Sequence, residues 1–205
     1  MSEKNLALAR LMTVAQGSKG ATVLKVGSDQ PEGKGSTFYP FFVSAIIVGL
    51  VPPFSEFFFA VLRQYNLQAL HLHPNSVLLL AIFAYYCEAH VGVKPSVALL
   101  RHFFSLRVSG AQVSTCASFI AYSISNAIMK PGKRIEGYRS KWVMMDVGRL
   151  HPRLVLPTGQ PKYVDAWSHA ELVDPRAKAV LRRMNADLRP SNLGAAKLTG
   201  ATLLR

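Results

Sequence analysis

The sequence predicts a mainly α fold, α+β with a small short-stranded β-element, in which a compact helical core carries a basic C-terminal helical extension. Three observations lead to this reading. Residues 77–87 are apolar or aromatic throughout, with Pro74 ahead of them suited to a first helical turn and Gly92 behind them suited to a left-handed cap. Residues 56–65 and 95–106 place apolar side chains at helical spacing. STCASFIAYSIS and KWVMMDV instead alternate loosely and are rich in β-branched and aromatic residues, as short strands are.

In chain order, residues 5–15 read as a short amphipathic helix. Residues 16–37, rich in Gly, Ser and Lys, read as a linker, so that 1–37 forms a flexible N-terminal segment. The apolar stretch 41–51 is well short of the roughly 20 residues a membrane span needs, and Pro52 and Pro53 stop it. It reads as core. Ser55 is placed to accept from an orphan amide of a helix starting at Glu56, and Asn66 to close it. Phe57, Phe58, Phe59, Val61 and Leu62 cover most of that helix's circumference, which predicts burial. The next helix, 74–90, is apolar all round and belongs at the centre of its fold. A third starts at Pro95 and runs to about residue 106, with Val97, Leu100, Phe103 and Phe104 facing inward. With the two strands, this completes a core domain over 38–150. Residues 151–205 then form a proline-containing connection and C-terminal helices. Asp174 and Pro175 open the first of these, with Ala177, Val180, Leu181 and Met184 on one face. Residues 191–205 suggest another that stops in mid-pattern, as in a fragment of a longer chain.

Charge divides the chain more sharply than hydropathy does. The net charge is +13, yet residues 38–100 hold two Lys or Arg against two acids, while 101–205 hold seventeen against six. Polyanions are drawn to such a half. Its densest stretch, 129–141, contains Lys130, Lys133, Arg134, Arg139 and Lys141 against Glu136 alone, with Tyr138 and Trp142 interleaved. The cations suit phosphates and the rings suit stacking on bases, although Trp142 reads more readily as core. Two cysteines and no apolar leader point to reduced thiols and an intracellular location, nuclear or cytoplasmic, with no secretion and no membrane partner.

The pattern His71, His73, Cys87, His90 has the ligand types of a zinc site. Helical geometry opposes it. Cys87 follows Pro74 by thirteen residues, roughly 20 Å along an axis that rises about 1.5 Å per residue, so the two pairs sit at opposite ends. His73 reads as a cap or turn residue and Cys87 as a small buried one. Enzymatic apparatus is also missing. Asp146 lacks the neighbour of a Tyr-x-Asp-Asp metal site, and Asp29 is followed by Gln30 where an aspartic protease needs Thr or Ser and Gly. Asp146, Asp165, Glu171, Asp174 and Asp187 show no integrase-like pattern. Two cysteines are too few for a zinc knuckle, and no Gly-rich phosphate loop or Gly-x-Ser-x-Gly occurs. The expectation is a non-enzyme without metal, cofactor or small-molecule substrate.

GLVPPFSEFFFAVLRQYNLQ and LHPNSVLLLAIFAYYCEAHVGVKPSVALLRHFFSLR, and more loosely RIEGYRSKWVMMDV, resemble the gypsy-type transposon domain of plant retrotransposon-derived proteins. LPTGQPKYVDAW and VLRRMNADLRPSNLGAAKLTGATLLR look like the same family's C-terminal portion, although Tyr138 stands where the family tends to carry Trp. The resemblance implies a gag-like origin and supplies no catalytic residues. Taken with the charge, it leads to a non-catalytic domain that binds DNA or RNA with low specificity through its basic half, at Lys130, Lys133, Arg134, Arg139 and Lys141. The alternatives are a self-association or protein-interaction module using the Phe-rich segment 54–59, possible as a homo-oligomer, and an element relic without function.

Overall fold

The computed structural model describes residues 23–27, 38–50, 54–109, 116–121, 138–140, 142–147 and 151–188. In chain order the regular elements are β1 (Val23–Gly27), β2 (Phe38–Phe42), α1 (Val43–Ile47), α2 (Glu56–Gln64), α3 (Pro74–Tyr85), α4 (Val97–Phe103), β3 (Phe104–Ser109), β4 (Cys116–Ala121), β5 (Trp142–Asp146) and α5 (Pro175–Leu188). The strands form two antiparallel sheets, one ordered β1-β5-β2 and the other pairing β3 with β4. The fold is mixed α+β. No described helix is long and apolar enough to cross a membrane.

Local sequence explains the helix ends. Ser55 Oγ accepts from Phe58 N at 3.2 Å, and beyond α2 Asn66 takes the left-handed conformation at φ 51°. His73 caps α3, its Nδ1 accepting from Asn75 N at 3.1 Å, with Pro74 in the first turn where no amide hydrogen is needed. The α3 spiral widens into a π turn over Tyr86–Val91 and ends at Gly92, whose φ of 72° a β-carbon would strain. Ser96 caps α4 through Leu99 N, and both carboxylate oxygens of Asp174 accept from Arg176 N and Ala177 N at the start of α5.

Three strands were not expected. Phe104 leaves the helical conformation (φ −133°, ψ 142°), so the predicted helix to residue 106 stops at Phe103 and β3 begins, pairing with β4 from Phe104↔Ala121 to Ser109↔Cys116. Within 38–42 nearly every side chain is buried, so no alternation marks β2, and a continuous apolar run does not distinguish strand from helix. Pro40 is tolerated there because β2 is an edge strand. β1 lies inside the stretch read as a linker and pairs with β5 from Val26↔Val143 to Gly27↔Trp142. The expected 5–15 helix and 191–205 helix lie outside the described residues.

α3 organises the core. Val77, Leu79, Leu80, Ile82 and Phe83 are buried, and Phe83 meets the rings of Phe57, Phe103 and Phe104 from α2, α4 and β3. One continuous apolar cluster includes Phe41 of β2, Val143 of β5 and Met184 of α5, so the C-terminal helix is seated on the core. The first turn of α3 also grips the sheet. Ser76 Oγ donates to Ala117 O at 3.3 Å and accepts from Phe119 N at 3.1 Å, while His73 N donates to the same carbonyl at 3.1 Å. These bonds satisfy polar groups on the β4 edge that β3 does not cover. Ser76→Ala leaves the buried Phe119 amide without its acceptor and is expected to cost about 1–3 kcal/mol, read as a lower urea midpoint with an unchanged slope.

Candidate nucleic-acid interface

A short turn, Tyr138–Ser140, leads into β5 and carries the part of the predicted basic segment that is described. Of the five candidate cations only Arg139 belongs to it; Lys130, Lys133, Arg134 and Lys141 lie outside the described residues. Arg139 Nε donates to the Tyr138 hydroxyl at 3.1 Å, and its guanidinium carbon lies 5.6 Å from that ring's centroid. Tyr138 is held edge-on by Phe42 (centroids 5.4 Å apart) and by His73 (4.9 Å). Burial, with the Cys116 side chain adding to it and Arg139 opposing it, pushes the phenol up to about 12. Neither interleaved aromatic is therefore an open stacking platform. Tyr138 is packed into this junction, and Trp142 is a core residue, 5% exposed.

The histidine pair has structural work in the same place. His71 Nδ1 accepts from Gln68 N at 3.1 Å, which leaves Nε2–H to donate to Gly159 O at 3.2 Å. Protonating Nδ1 would break the first bond. Burial lowers the His71 pKa, and the nearby positive charge of Arg139 lowers it further against the opposing Gly159 bond. Cys87, at the far end of the α3 spiral, is buried and its thiol is pushed up to about 12 by burial and by Glu88. His90 is exposed and stacks on Tyr86. Among the described residues no three His, Cys, Asp or Glu gather where they could hold a metal ion.

The connection after β5 is strapped across the fold. Ala69 N donates to Arg153 O, and the Arg153 guanidinium donates to Asn66 Oδ1 at 2.9 Å. The His151 ring stacks on Phe59 at 3.9 Å, and the buried Trp167 donates through Nε1 to Tyr65 O at 2.8 Å. These contacts help turn the Phe-rich segment inward. Phe58 is buried and Phe54, Phe57 and Phe59 are half-buried, beside a cleft of about 330 Å³ between α2 and α3 and another of about 500 Å³ between α2 and the start of α4.

The connection delivers α5 with its apolar side down. Met184 is fully buried and Ala177, Val180 and Leu181 are half-buried, whereas Arg176, Lys178, Arg182 and Arg183 are exposed. The inner face is the one the sequence predicts, and the cations lie between its positions. The signal was present as R-x-K-x-x-x-R-R at positions 176–183.

The fold and this surface define a mixed α+β domain with an α3-centred core and a cationic C-terminal helix. Residues 41–108, from within β2 through most of β3, match the model of a family described as "Putative gypsy type transposon". The resemblance read from the sequence is matched over that stretch. No curated protein and no solved structure matches the chain.

A pH dependence follows from His71. Its pKa is lowered from 6.5 in the folded state, so below that value the unfolded chain binds the proton more readily. The stability that neutral His71 contributes is complete above pH 6.5 and is lost as pH falls from there through the lower folded value. His102 and His151 shift in the same direction, chiefly through burial. The melting temperature is expected to fall between pH 7.5 and 5.5, and His71→Gln to flatten part of that fall. An unchanged slope in the variant would remove His71 from the explanation.

Proposed function

We propose that this transposon-derived chain is a non-catalytic, gag-like domain that binds nucleic acid with little sequence preference through its basic C-terminal half. One observation carries the reading. Residues 38–100, which supply most of the α3-centred core, are electrically balanced, whereas 101–205 hold seventeen Lys or Arg against six acids. Phosphate neutralisation by such a half releases counterions and needs no shaped pocket. A non-catalytic role is supported by the commitments of the groups that chemistry would need. The Asp174 carboxylate caps α5, and Cys87 is a buried thiol of raised pKa.

The test is binding of the full chain to single- and double-stranded nucleic acid across a salt series. A parallel variant changes Lys130, Lys133, Arg134, Arg139 and Lys141 to Glu. The full chain is required because β1 lies ahead of residue 38 and truncation there would remove a strand from the β5 sheet. Affinity is expected to fall steeply with salt and to be largely lost in the variant. Absence of binding by the unaltered chain at moderate salt would reject the reading and favour a self-association module or a relic.

A further inference from the structure

We propose that the outward face of α5 is a contact surface for the phosphate backbone of nucleic acid. This rests on the nucleic-acid reading above and gives it a described surface, separate from the 129–141 segment.

The face is defined by what the helix buries. At about 100° per residue, Ala177, Val180, Leu181 and Met184 share one side, and Arg176, Lys178, Arg182 and Arg183 are spread over the rest of the circumference, Arg182 nearest its middle. The burial pattern agrees, with the first group buried or half-buried and the second exposed. Asp174, the acid nearest Arg176 and Lys178 in sequence, is occupied in capping the helix, and the acid nearest Arg182 and Arg183 is Asp187, about one turn further on. From 176 to 183 the helix advances about 10 Å, over which one strand of a duplex presents about three phosphates at roughly 3.4 Å each. Lys178 and Arg182 line one side of the exposed arc and Arg183 and Arg176 the other, so the face can offer cations to about three phosphates. Three of them are arginines, whose planar guanidinium forks match phosphate oxygens in pairs.

The same geometry chooses the kind of partner. A helix that lies on a membrane needs a free apolar face to enter the acyl boundary. In α5 that face is taken, since Met184 is fully buried and its neighbours pack on the core. The exposed arc also has no aromatic ring to stack on a base. Contact is thus with the backbone, which predicts similar use of the face on duplexes of any sequence.

The experiment measures the slope of log affinity against log salt for the full chain on a mixed-sequence DNA duplex. The variants are Arg182→Gln with Arg183→Gln, the charge-keeping pair Arg182→Lys with Arg183→Lys, and Lys130→Gln with Lys133→Gln. The α5 glutamine pair is expected to make the slope shallower by roughly 2, at about 0.9 per phosphate contact. The lysine pair should keep the slope and all variants should keep the melting temperature. Duplex binding with an unchanged slope in the glutamine pair, but a reduced one in the Lys130 and Lys133 variant, overturns the α5 assignment and leaves the nucleic-acid reading standing. No binding by the unaltered chain overturns both. Binding to phosphatidylserine vesicles and not to duplex, lost in the glutamine pair, would assign the face to membranes and overturn the proposal as well.

Discussion

Burial of α3 is the constraint on which the rest of the structure depends. A helix apolar around nearly its whole circumference has little side to turn toward water, and α3 is covered by other elements on all but a strip at Ala81 and Tyr85, which are exposed. α2 covers it through Phe57, α4 and β3 through Phe103 and Phe104, and β4 is fastened to its first turn by Ser76 and His73. Fully burying each such side chain is worth about 1.5–3 kcal/mol. The gain is realised only if the covering elements arrive from distant parts of the sequence. The polar work at the start of α3 is what lets a two-stranded sheet be placed there without leaving a bare edge.

The features legible in the sequence were those that local chemistry dictates. Ser55, Asn66, His73, Pro74, Gly92 and Asp174 mark helix ends by the amides they satisfy or the backbone angles they permit, and each does so in the structure. β4 and β5 were visible from composition. The features missed are set by partners. β1 sits in a Gly- and Lys-rich stretch and is a strand because β5 offers it an edge. β2 has no alternation because its sheet is covered on both sides over 39–42. β3 continues directly from α4, and the change at Phe104 is decided by pairing with Ala121, seventeen positions away.

The candidate site was legible as charge and illegible as geometry. Counting Lys and Arg located the basic half, but not that Arg139 lies against Tyr138 or that Tyr138 is wedged between Phe42 and His73. In the histidine pattern His73 is the cap its position predicts, accepting from Asn75, and His71 accepts from Gln68. The cations of α5 are less legible in the sequence than its apolar face. Their meaning depends on that face being already covered, which only the packing of Met184 reveals.

The account's central claim is a division of labour, with polyanion contact on the C-terminal side and none on the electrically balanced segment that builds the core. Lysine footprinting with and without bound nucleic acid tests it directly, because Lys94, exposed on that segment, is an internal control. The account predicts that Lys130, Lys133, Lys141 and Lys178 lose reactivity on binding while Lys94 keeps its own. Protection of Lys94 to the same degree as the others would contradict it.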